Sequence, residues 1–438
     1  MDAPERPSKG NLLVLGIVAT LGGIAVGLVG ALFRLALDDA DRLRGELLRL
    51  AHGWSLGGFL PWLALIAASV ALAAWMVRRF APHAAGSGIP QVEAELDAEL
   101  PPPSVHLVFV KFVGGVLAIG SGLALGREGP TIQMGGSISY HIGRWLNRNW
   151  EDCRVLMAAG AGAGLATAFN APIAGAVFVL EELVKRFETR TTIAALSASA
   201  VAISVERLIL GNQPDFIVRP LARPGIAYDP LYLLLGVGAG FAALWYNWTL
   251  VRGLNTADRI ATLPVELRAA VMGAAVAAVA WFAPSMVGGG DPLTQRVLDG
   301  AGLIAMLPVI YLLRLGLISG SYAVRTPGGL FAPLLVLGAV LGLWFGKLCA
   351  LALPDMDIQP VAFALVGMAA LFTGVVRAPV TGIVLVTEMT ANVTMLLPMI
   401  LACFAAMLVP TLFGDSPIYD VLRERLVPPR PIPAGETD

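Results

Sequence analysis

Charged residues are scarce in this chain. They make up 14% of the 438 residues, against about 25% in an average soluble protein. The 30 Lys and Arg nearly cancel the 31 Asp and Glu, which leaves a net charge of −1. A broad basic surface for nucleic acid and an acidic disordered tail are therefore both excluded. Because hydrophobic residues reach 57% of the chain, more than a soluble core can enclose, we expect much of its surface to face lipid.

Cysteines and catalytic motifs are also few. The three cysteines, Cys153, Cys349 and Cys403, are far apart and form no CxxC pair, which excludes a disulfide framework and a cysteine metal site. The four histidines form no HExxH pattern, and no Walker A loop or pair of aspartates within a helix is present. The sequence therefore disfavours a membrane ATPase or an intramembrane protease, and it predicts no metal and no cofactor.

Long apolar segments and helix breakers are abundant instead. A membrane helix needs about 20 mostly apolar residues, and the chain also holds 49 Gly and 30 Pro, more than is usual. We therefore expect an all-α polytopic membrane protein with tilted, short and broken helices. The apolar segments are roughly 11–36, 57–77, 105–125, 155–180, 230–251, 266–283, 301–318, 329–353, 361–376 and 394–413.

An internal repeat divides the chain into two halves. The residues from Ala171 to Glu181 match those from Ala378 to Glu388 at a constant offset of 207, with Ala-Pro, Gly, Val, Val and Glu in common. Pro130 and Gly135 likewise match Pro333 and Gly338 at an offset of 203. Paired membrane segments broken by Gly and Pro predict a transporter with its site near the membrane midplane. The repeat alone leaves open whether the halves are parallel or inverted. The predicted units are a tail at 1–10, repeats at 11–210 and 229–413, a linker at 211–228, and a C-terminal segment at 414–438.

Three Gly/Pro motifs lie at predicted helix starts. In Gly86–Pro90 the Ser87 hydroxyl either caps the helix or, together with the helix start, donates to an anion. In Gly126–Pro130, Arg127 and Glu128 either form a buried pair, although adjacent side chains on a helix do not face one another, or Glu128 lies at a helix start, where free N–H groups bind negative charge. Such a carboxylate can occupy an anion site and leave it on protonation. The uncharged motif Gly328–Pro333 offers backbone N–H groups, or is a flexible turn.

Glu181 and Glu182 end an apolar helix, and Lys185 and Arg186 follow four residues later. The spacing favours two i,i+4 ion pairs at the membrane edge. However, the repeat gives Glu181 a counterpart in the second half and gives Glu182 none. Glu182 is therefore the better candidate for a function that is carried by one half only.

Other charged residues adjoin these motifs. Lys111 lies inside an apolar segment, where it either extends toward the interface or pairs with a carboxylate. The acidic stretch 93–99, which is followed by three prolines, is predicted to be an exposed loop.

The motifs GSGIP, GREGP and GxFxP, at Gly86–Pro90, Gly126–Pro130 and Gly329–Pro333, occur in this order and are followed by Tyr419. Together they resemble the CLC family of chloride channels and chloride/proton exchangers, in its prokaryotic form without CBS domains. The resemblance implies an inverted repeat of two helical halves, a homodimer, and a separate anion path in each protomer.

The resemblance also implies residue roles. Chloride, the transported ligand, would be held by the hydroxyls of Ser87 and Tyr419 and by the amides of Leu330 and Phe331. Nitrate-preferring relatives have Pro at the Ser87 position, so Ser87 favours chloride.

Two glutamates complete the implied machinery. Glu128 would be the external gate and proton carrier, and Glu182 the internal proton-transfer glutamate. Channels of the family usually lack an acid at the latter position, so the sequence favours a chloride/proton antiporter, with a passive voltage- or pH-gated chloride channel as the alternative. A polytopic membrane enzyme has the least support. The expected location is a bacterial inner membrane with both termini cytoplasmic, and the expected partners are chloride, protons, the lipid bilayer and a second copy of the chain, with no nucleic acid.

Overall fold

The computed structural model describes residues 9–427, and the regular elements in that range are all helices. Most of the predicted tail at 1–10, and residues 428–438 of the predicted C-terminal segment, lie outside the described residues. The all-α prediction is confirmed. The α-helices of the described range are α1 Lys9–Gly53, α2 Phe59–Phe80, α3 Ile89–Leu96, α4 Val105–Gly120, α5 Glu128–Trp145, α6 Trp150–Phe169, α7 Pro172–Phe178, α8 Thr189–Leu210, α9 Asp229–Arg259, α10 Val265–Phe282, α11 Asp291–Leu298, α12 Leu307–Ala323, α13 Phe331–Ala352, α14 Pro360–Val376, α15 Pro379–Thr390, α16 Leu396–Leu412 and α17 Ile418–Glu424.

Helix lengths within residues 9–427 vary as the many helix breakers predict. Six helices, α1, α2, α8, α9, α10 and α13, are long and apolar enough to cross a membrane, and five further apolar helices are shorter. Helix α8 is not among the apolar segments predicted from the sequence. Its apolar pattern is interrupted by Thr and Ser near its beginning and by Arg190, Glu206 and Arg207.

The Ala-Pro pairs of the repeat follow two equivalent breaks. Asn170 adopts a left-handed conformation (φ 48°) at the end of α6, and α7 begins two residues later at Pro172. Arg377 does the same (φ 71°) between α14 and α15, which begins at Pro379. Proline fits the first turn of a helix because the amide hydrogen it lacks has no intrahelical partner there. Each apolar segment is thereby divided into two helices that point in different directions.

The two halves pack by the same scheme. Helix α1 lies along α8 and α5 along α6, just as α9 lies along α16 and α13 along α14. A glycine that lies five residues after Pro130 in the first half, and after Pro333 in the second, explains one of these contacts. A Cβ on Gly135 would lie 2.2 Å from the Gly160 carbonyl oxygen, and one on Gly338 would lie 2.5 Å from that of Gly367. Small residues let membrane helices approach closely.

Reciprocal contacts between α7 and α15 show that the halves are inverted. The Glu181 carboxylate, just after α7, accepts hydrogen bonds from the amides of Val380 and Thr381 at 3.0 and 2.6 Å, in the first turn of α15. The Glu388 carboxylate, near the end of α15, accepts two from the first turn of α7 at 3.1 and 2.8 Å. Because each helix ends where the other begins, α7 and α15 run antiparallel. The expected inverted repeat is confirmed.

The prediction of i,i+4 ion pairs at Glu181 and Glu182 is wrong. Glu181 is engaged by α15, and Lys185 pairs with Asp420 instead, with Nζ 2.9 Å from Oδ1. The helix also does not continue regularly, since a π-helical turn spans Val179–Leu183 and changes which side chains face one another.

We expect Glu181→Ala and Glu388→Ala to destabilise the protein to a similar extent. Each change removes a carboxylate from two helix N-terminal amides, at a cost of about 1–2 kcal/mol. Thermal unfolding in detergent measures this cost as a lower Tm. The control is Glu46→Ala, an exposed glutamate inside α1 that makes no ion pair within residues 9–427 and should leave the Tm unchanged. A Tm equal to that of the wild type for both cap variants would contradict the stabilising role.

The acidic stretch 93–99 is not the exposed loop that the sequence predicts. Glu93 and Glu95 belong to α3 and are 1% and 3% exposed. Beyond the helix, Asp97 and Glu99 both pair with Arg423 on α17, each at 2.7 Å. Two of the four charges that suggested a loop therefore join the segment after α3 to α17.

Candidate functional site

The three Gly/Pro motifs meet through backbone hydrogen bonds. The Gly86 amide donates to the Thr326 carbonyl at 3.0 Å, and the Gly328 amide donates to the Gly86 carbonyl at 3.1 Å. Gly126 and Gly329 exchange two bonds of 2.9 and 2.7 Å. Helices α3, α5 and α13 begin within three residues of these bridges. Their N-termini, which carry partial positive charge, are therefore brought together in the interior of the protein.

The Glu128 carboxylate lies between two of these helix starts. Its Oε1 accepts a hydrogen bond of 2.6 Å from the Phe331 amide at the start of α13. The amides of Glu128 itself and of Ala332 also interact with the carboxylate. The side chain is fully buried, and Oε2 has no hydrogen-bond partner among the described residues. A negative group thus occupies the place where the structure offers converging N–H donors to an anion.

Glu128 does not pair with the preceding arginine. The Arg127 Nε donates to the Ala168 carbonyl at 2.7 Å, and its Nη atoms reach Asp215 at 3.3 Å and Asp291 at 3.6 Å. The alternative in which Arg127 and Glu128 form a buried pair is therefore wrong, and the glutamate is left to the backbone amides.

Two glycines make room for this carboxylate. A Cβ on Gly329 would lie 2.2 Å from Glu128 Oε1, and a Cβ on Gly126 would lie 2.0 Å from Oε2. Real Cβ atoms do not approach oxygen so closely, so any side chain at either position displaces the carboxylate or separates the two helix starts.

We therefore expect Gly329→Ala to reduce proton-coupled chloride transport by roughly 10–100-fold, the effect of misplacing a working group by about 1 Å. Flux assays in liposomes measure this loss. The control is Gly316→Ala in α12, where an added methyl group meets no atom within 4 Å and transport should stay unchanged. Wild-type coupled transport in the Gly329 variant would contradict the importance of the close approach.

The hydroxyls of Ser87 and Tyr419 are both buried and unpartnered among residues 9–427. Ser87 does not cap its helix: the capping position is Gly88, in a left-handed conformation (φ 94°), and no side chain bonds there. The N-cap alternative for Ser87 is therefore wrong. Tyr419 lies in the first turn of α17, near Ser87, and packs its ring 5.7 Å from the Phe331 ring. Leu330 is also fully buried at the start of α13.

Lys111 contributes to the site indirectly. Its Nζ is fully buried and donates to the carbonyls of Ala84 at 3.1 Å and Gly86 at 2.9 Å. Lys111 therefore does not extend toward the interface, and it forms no ion pair within 4 Å among residues 9–427, although it interacts electrostatically with Glu95. Instead, it fixes the segment that leads to Ser87.

Sequence reasoning missed two tyrosines at the site. The Tyr322 hydroxyl, on α12, accepts a hydrogen bond of 3.4 Å from the Ser87 amide. Tyr246, on α9, is fully buried, interacts electrostatically with Tyr322 and Glu128, and has a hydroxyl without a partner in the described range. The available signal was a tyrosine inside an otherwise apolar helix, where a hydroxyl needs a partner.

Glu182 lies apart from this group, in the π-helical turn after α7. It is 4% exposed, and its Oε1 has no hydrogen-bond partner among the described residues. Phe178, four residues earlier, packs edge-on against Phe331 with ring centroids 5.7 Å apart, so α7 connects the two regions. The sequence did not indicate a second carboxylate here, but the buried Glu93 interacts electrostatically with Glu182, and both of its oxygens are unpartnered within residues 9–427.

A cavity of about 700 Å³ lies beside this region. Its wall includes Leu183, Val184 and Lys185, the three residues that follow Glu182. The basic side chains Arg154 and Arg190 line it as well. The structure therefore places a polar, open space next to the buried carboxylate.

Comparisons with known proteins place the chain among chloride-transporting relatives. A family model described as "Voltage gated chloride channel" matches residues 66–411. The H(+)/Cl(-) exchange transporter ClcA of Vibrio cholerae serotype O1 (strain M66-2) is 39% identical over 424 residues, which cover 93% of this chain and 88% of that protein. The protein of the same name from Vibrio parahaemolyticus serotype O3:K6 (strain RIMD 2210633) is 37% identical over 422 residues, covering 93% of this chain and 89% of that protein.

A solved structure gives the same picture of the fold. The crystal structure of a slow cyanobacterial Cl-/H+ antiporter superimposes with a TM-score of 0.90 at 32% identity, covering 94% of this chain and 98% of that one.

Proposed function

The chain belongs to the voltage-gated chloride channel family, and on that premise we propose that it exchanges chloride for protons across a membrane. The observation that carries this proposal is the position of the Glu128 carboxylate. It accepts a hydrogen bond from the Phe331 amide, at a helix start where N–H groups can bind either a carboxylate or a chloride ion.

In this proposal chloride is bound by dipoles. The unpartnered hydroxyls of Ser87 and Tyr419 and the amides of Leu330 and Phe331 are the donors. Amides and hydroxyls attract an anion without a full positive charge, so the ion can also leave. This explains why an anion transporter needs no excess of basic residues.

Glu128 couples the two ions because it competes with chloride. When it is charged, its carboxylate occupies the helix-start amides and excludes the anion. When it is protonated, it loses the charge that holds it there, and chloride can take its place. Chloride occupancy and proton occupancy are therefore thermodynamically linked, and the linkage is reciprocal.

Glu182 is proposed to carry protons between Glu128 and the cytoplasm. It is buried, one of its oxygens is free to exchange a proton, and the adjoining cavity provides access for water. A passive chloride channel on the same fold remains the second candidate function. The carboxylate at position 182 favours the exchanger, since a channel does not need a separate proton path.

We further propose a bacterial inner-membrane location with both termini in the cytoplasm, assembly as a homodimer, and a role as a secondary active transporter rather than an enzyme. The residue roles are likewise proposals that rest on the resemblance, and the boundaries of the two repeats, 11–210 and 229–413, are proposals that rest on the internal repeat. The molecular mass of the purified protein in detergent tests the dimer, and a protomer-sized particle would contradict it.

Reconstitution into liposomes tests the function. A chloride gradient should drive proton movement against a proton gradient, followed with a chloride electrode and a pH electrode together. Chloride movement without any proton movement would replace the exchanger with the channel. No chloride movement in folded protein would reject both.

A further inference from the structure

The predicted linker between the two halves contains a buried carboxylate. Asp215 follows the end of α8 by five residues, yet its side chain is only 3% exposed. Its two oxygens bind two arginines: Oδ1 lies 2.7 Å from Arg34 Nη2, and Oδ2 lies 3.3 Å from Arg127 Nη2. A buried carboxylate shared between two arginines is held in one orientation and holds both arginines in turn.

The second of these arginines immediately precedes the gate. Arg127 is anchored by α6 through the Ala168 carbonyl, by the linker through Asp215, and by the beginning of α11 through Asp291. Asp291 is half exposed, whereas Asp215 is buried. Of the two carboxylates that pair with Arg127, Asp215 is therefore the one that solvent screens less. The arginine that it holds immediately precedes Glu128 in the chain.

The repeat gives this linker a counterpart with a known position. Asn170 and Arg377 are the equivalent left-handed residues of the two halves. Asn170 binds the segment that follows α8, and Arg377 binds the segment that follows α16. Asn170 Nδ2 donates to the Gln213 carbonyl at 2.9 Å, and Arg377 Nη2 donates to the Asp415 carbonyl at 3.1 Å. Residues 211–217 therefore correspond to the segment that carries Tyr419. One segment reaches the Phe331 side of the site, and the other reaches Arg127.

We infer that Asp215 is a positioning residue of the exchange: through Arg127 it sets the orientation and the electrostatic surroundings of the Glu128 gate. This inference rests on the proposed role of Glu128. It assigns a function in transport to the linker, which otherwise only joins the two halves.

The expected effect follows from the balance of charge. Replacing Asp215 with Asn leaves two partly buried arginines with one carboxylate fewer, so the potential near Glu128 becomes more positive. Glu128 then keeps its charge to a lower pH, and the gate closes over a wider pH range. The charged groups that face Arg127 and Asp215 are Arg34 and Asp38 from α1, Glu128 from α5, Glu206 from α8 and Asp291 from α11.

The experiment measures the chloride flux of reconstituted protein as a function of pH. We expect Asp215→Asn to move the half-maximal pH of the flux down by roughly 0.5–1 unit, the size expected for one nearby, poorly screened charge. Asp215→Glu, which keeps the charge, should restore most of the wild-type profile. In a Glu128→Ala background, Asp215→Asn should change nothing, because the gate on which it acts is absent.

Two further variants test whether the shift depends on an ion pair with Arg127. Glu206→Gln removes a buried carboxylate that contacts Arg34 at 3.4 Å but makes no ion pair with Arg127 within residues 9–427, so it should shift the profile less. Asp291→Asn removes the half-exposed partner of Arg127, and it should shift the midpoint in the same direction as Asp215→Asn by a smaller amount. If Asp215→Asn does not fold, Asp291→Asn still tests whether a carboxylate acts on the gate through Arg127.

Several results would overturn the inference. A wild-type pH profile in folded Asp215→Asn, or in folded Asp291→Asn when the former does not fold, removes the role. An equal shift in the Glu128→Ala background shows that Asp215 acts elsewhere. A Glu128→Ala protein that keeps the full pH dependence of the wild type would instead reject the proposed gate. Because that protein still has Asp215, the measurement separates a failure of the gate from a failure of the role of Asp215.

Discussion

Glu128→Ala protein in liposomes should conduct chloride at a rate that no longer depends on pH, and it should move no protons against a gradient. The reason lies in the single group that the substitution removes. The Glu128 carboxylate accepts a hydrogen bond of 2.6 Å from the Phe331 amide, so the glutamate and chloride compete for the same donor. Without the carboxylate, chloride has no competitor there and no titrating partner. Coupling should therefore be lost entirely, while chloride transport persists.

The pH dependence of the wild type has a definite sign in this mechanism. Lowering the pH protonates Glu128, weakens its hold on the backbone amides and frees the site, so chloride flux should rise as the pH falls. Glu128→Gln serves as a second variant, because the neutral amide keeps the shape of the side chain and has no charge to lose. It should be as insensitive to pH as the alanine variant. A chloride flux that keeps its wild-type pH dependence in both variants would contradict the gate.

The convergence of the three motifs could be predicted because each carries its own local signal. A Gly/Pro cluster at the beginning of a helix within an apolar segment needs a protein-lined or water-lined environment, since lipid cannot satisfy its backbone. The repeat then indicated that two such clusters are equivalent. The structure adds the direct backbone bridges between Gly126 and Gly329, which make the pair of helix starts one unit.

The partners of the charged residues could not be predicted, because they come from distant parts of the chain. Local spacing assigned Glu181 to Lys185, but the carboxylate caps a helix about 200 residues away. A buried pair between Arg127 and its neighbour Glu128 was the local alternative, whereas the carboxylate partners of Arg127 include the linker residue Asp215. In lipid, an unpaired charge is costly at any sequence separation. The topology, which brings α7 to α15 and the linker to α5, therefore decides which residues pair.

Buried acids are the other limit of sequence reasoning. Glu93 and Glu95 looked like part of a solvated acidic loop, yet both lie inside a short helix that begins within the Gly86–Pro90 motif. Helix α3 is only eight residues long, and its acidic residues hide the helical pattern. The motif at its beginning was recognised, but the extent of the helix behind it was not.

Glu182→Gln should abolish proton transport while chloride transport continues. Glutamine is similar in size to glutamate and can still form hydrogen bonds, but it cannot release or accept a proton at neutral pH. Because Glu182 is proposed to lie on the proton path only, its replacement leaves Glu128 and the chloride donors in place. A chloride gradient should then drive chloride across the liposome membrane with no accompanying proton movement.

The matched control for this experiment is the adjacent residue. Glu181→Gln alters a carboxylate of the same helix end, but Glu181 caps α15 and has the symmetric counterpart Glu388, so it should affect stability and leave the proton-to-chloride ratio unchanged. Equal loss of proton transport in both variants would mean that the helix end, rather than the Glu182 carboxyl group, is what matters. Proton uptake driven by chloride in folded Glu182→Gln protein would remove Glu182 from the path and leave the buried Glu93, whose two oxygens are unpartnered in the described part of the chain, as the next carboxylate to test.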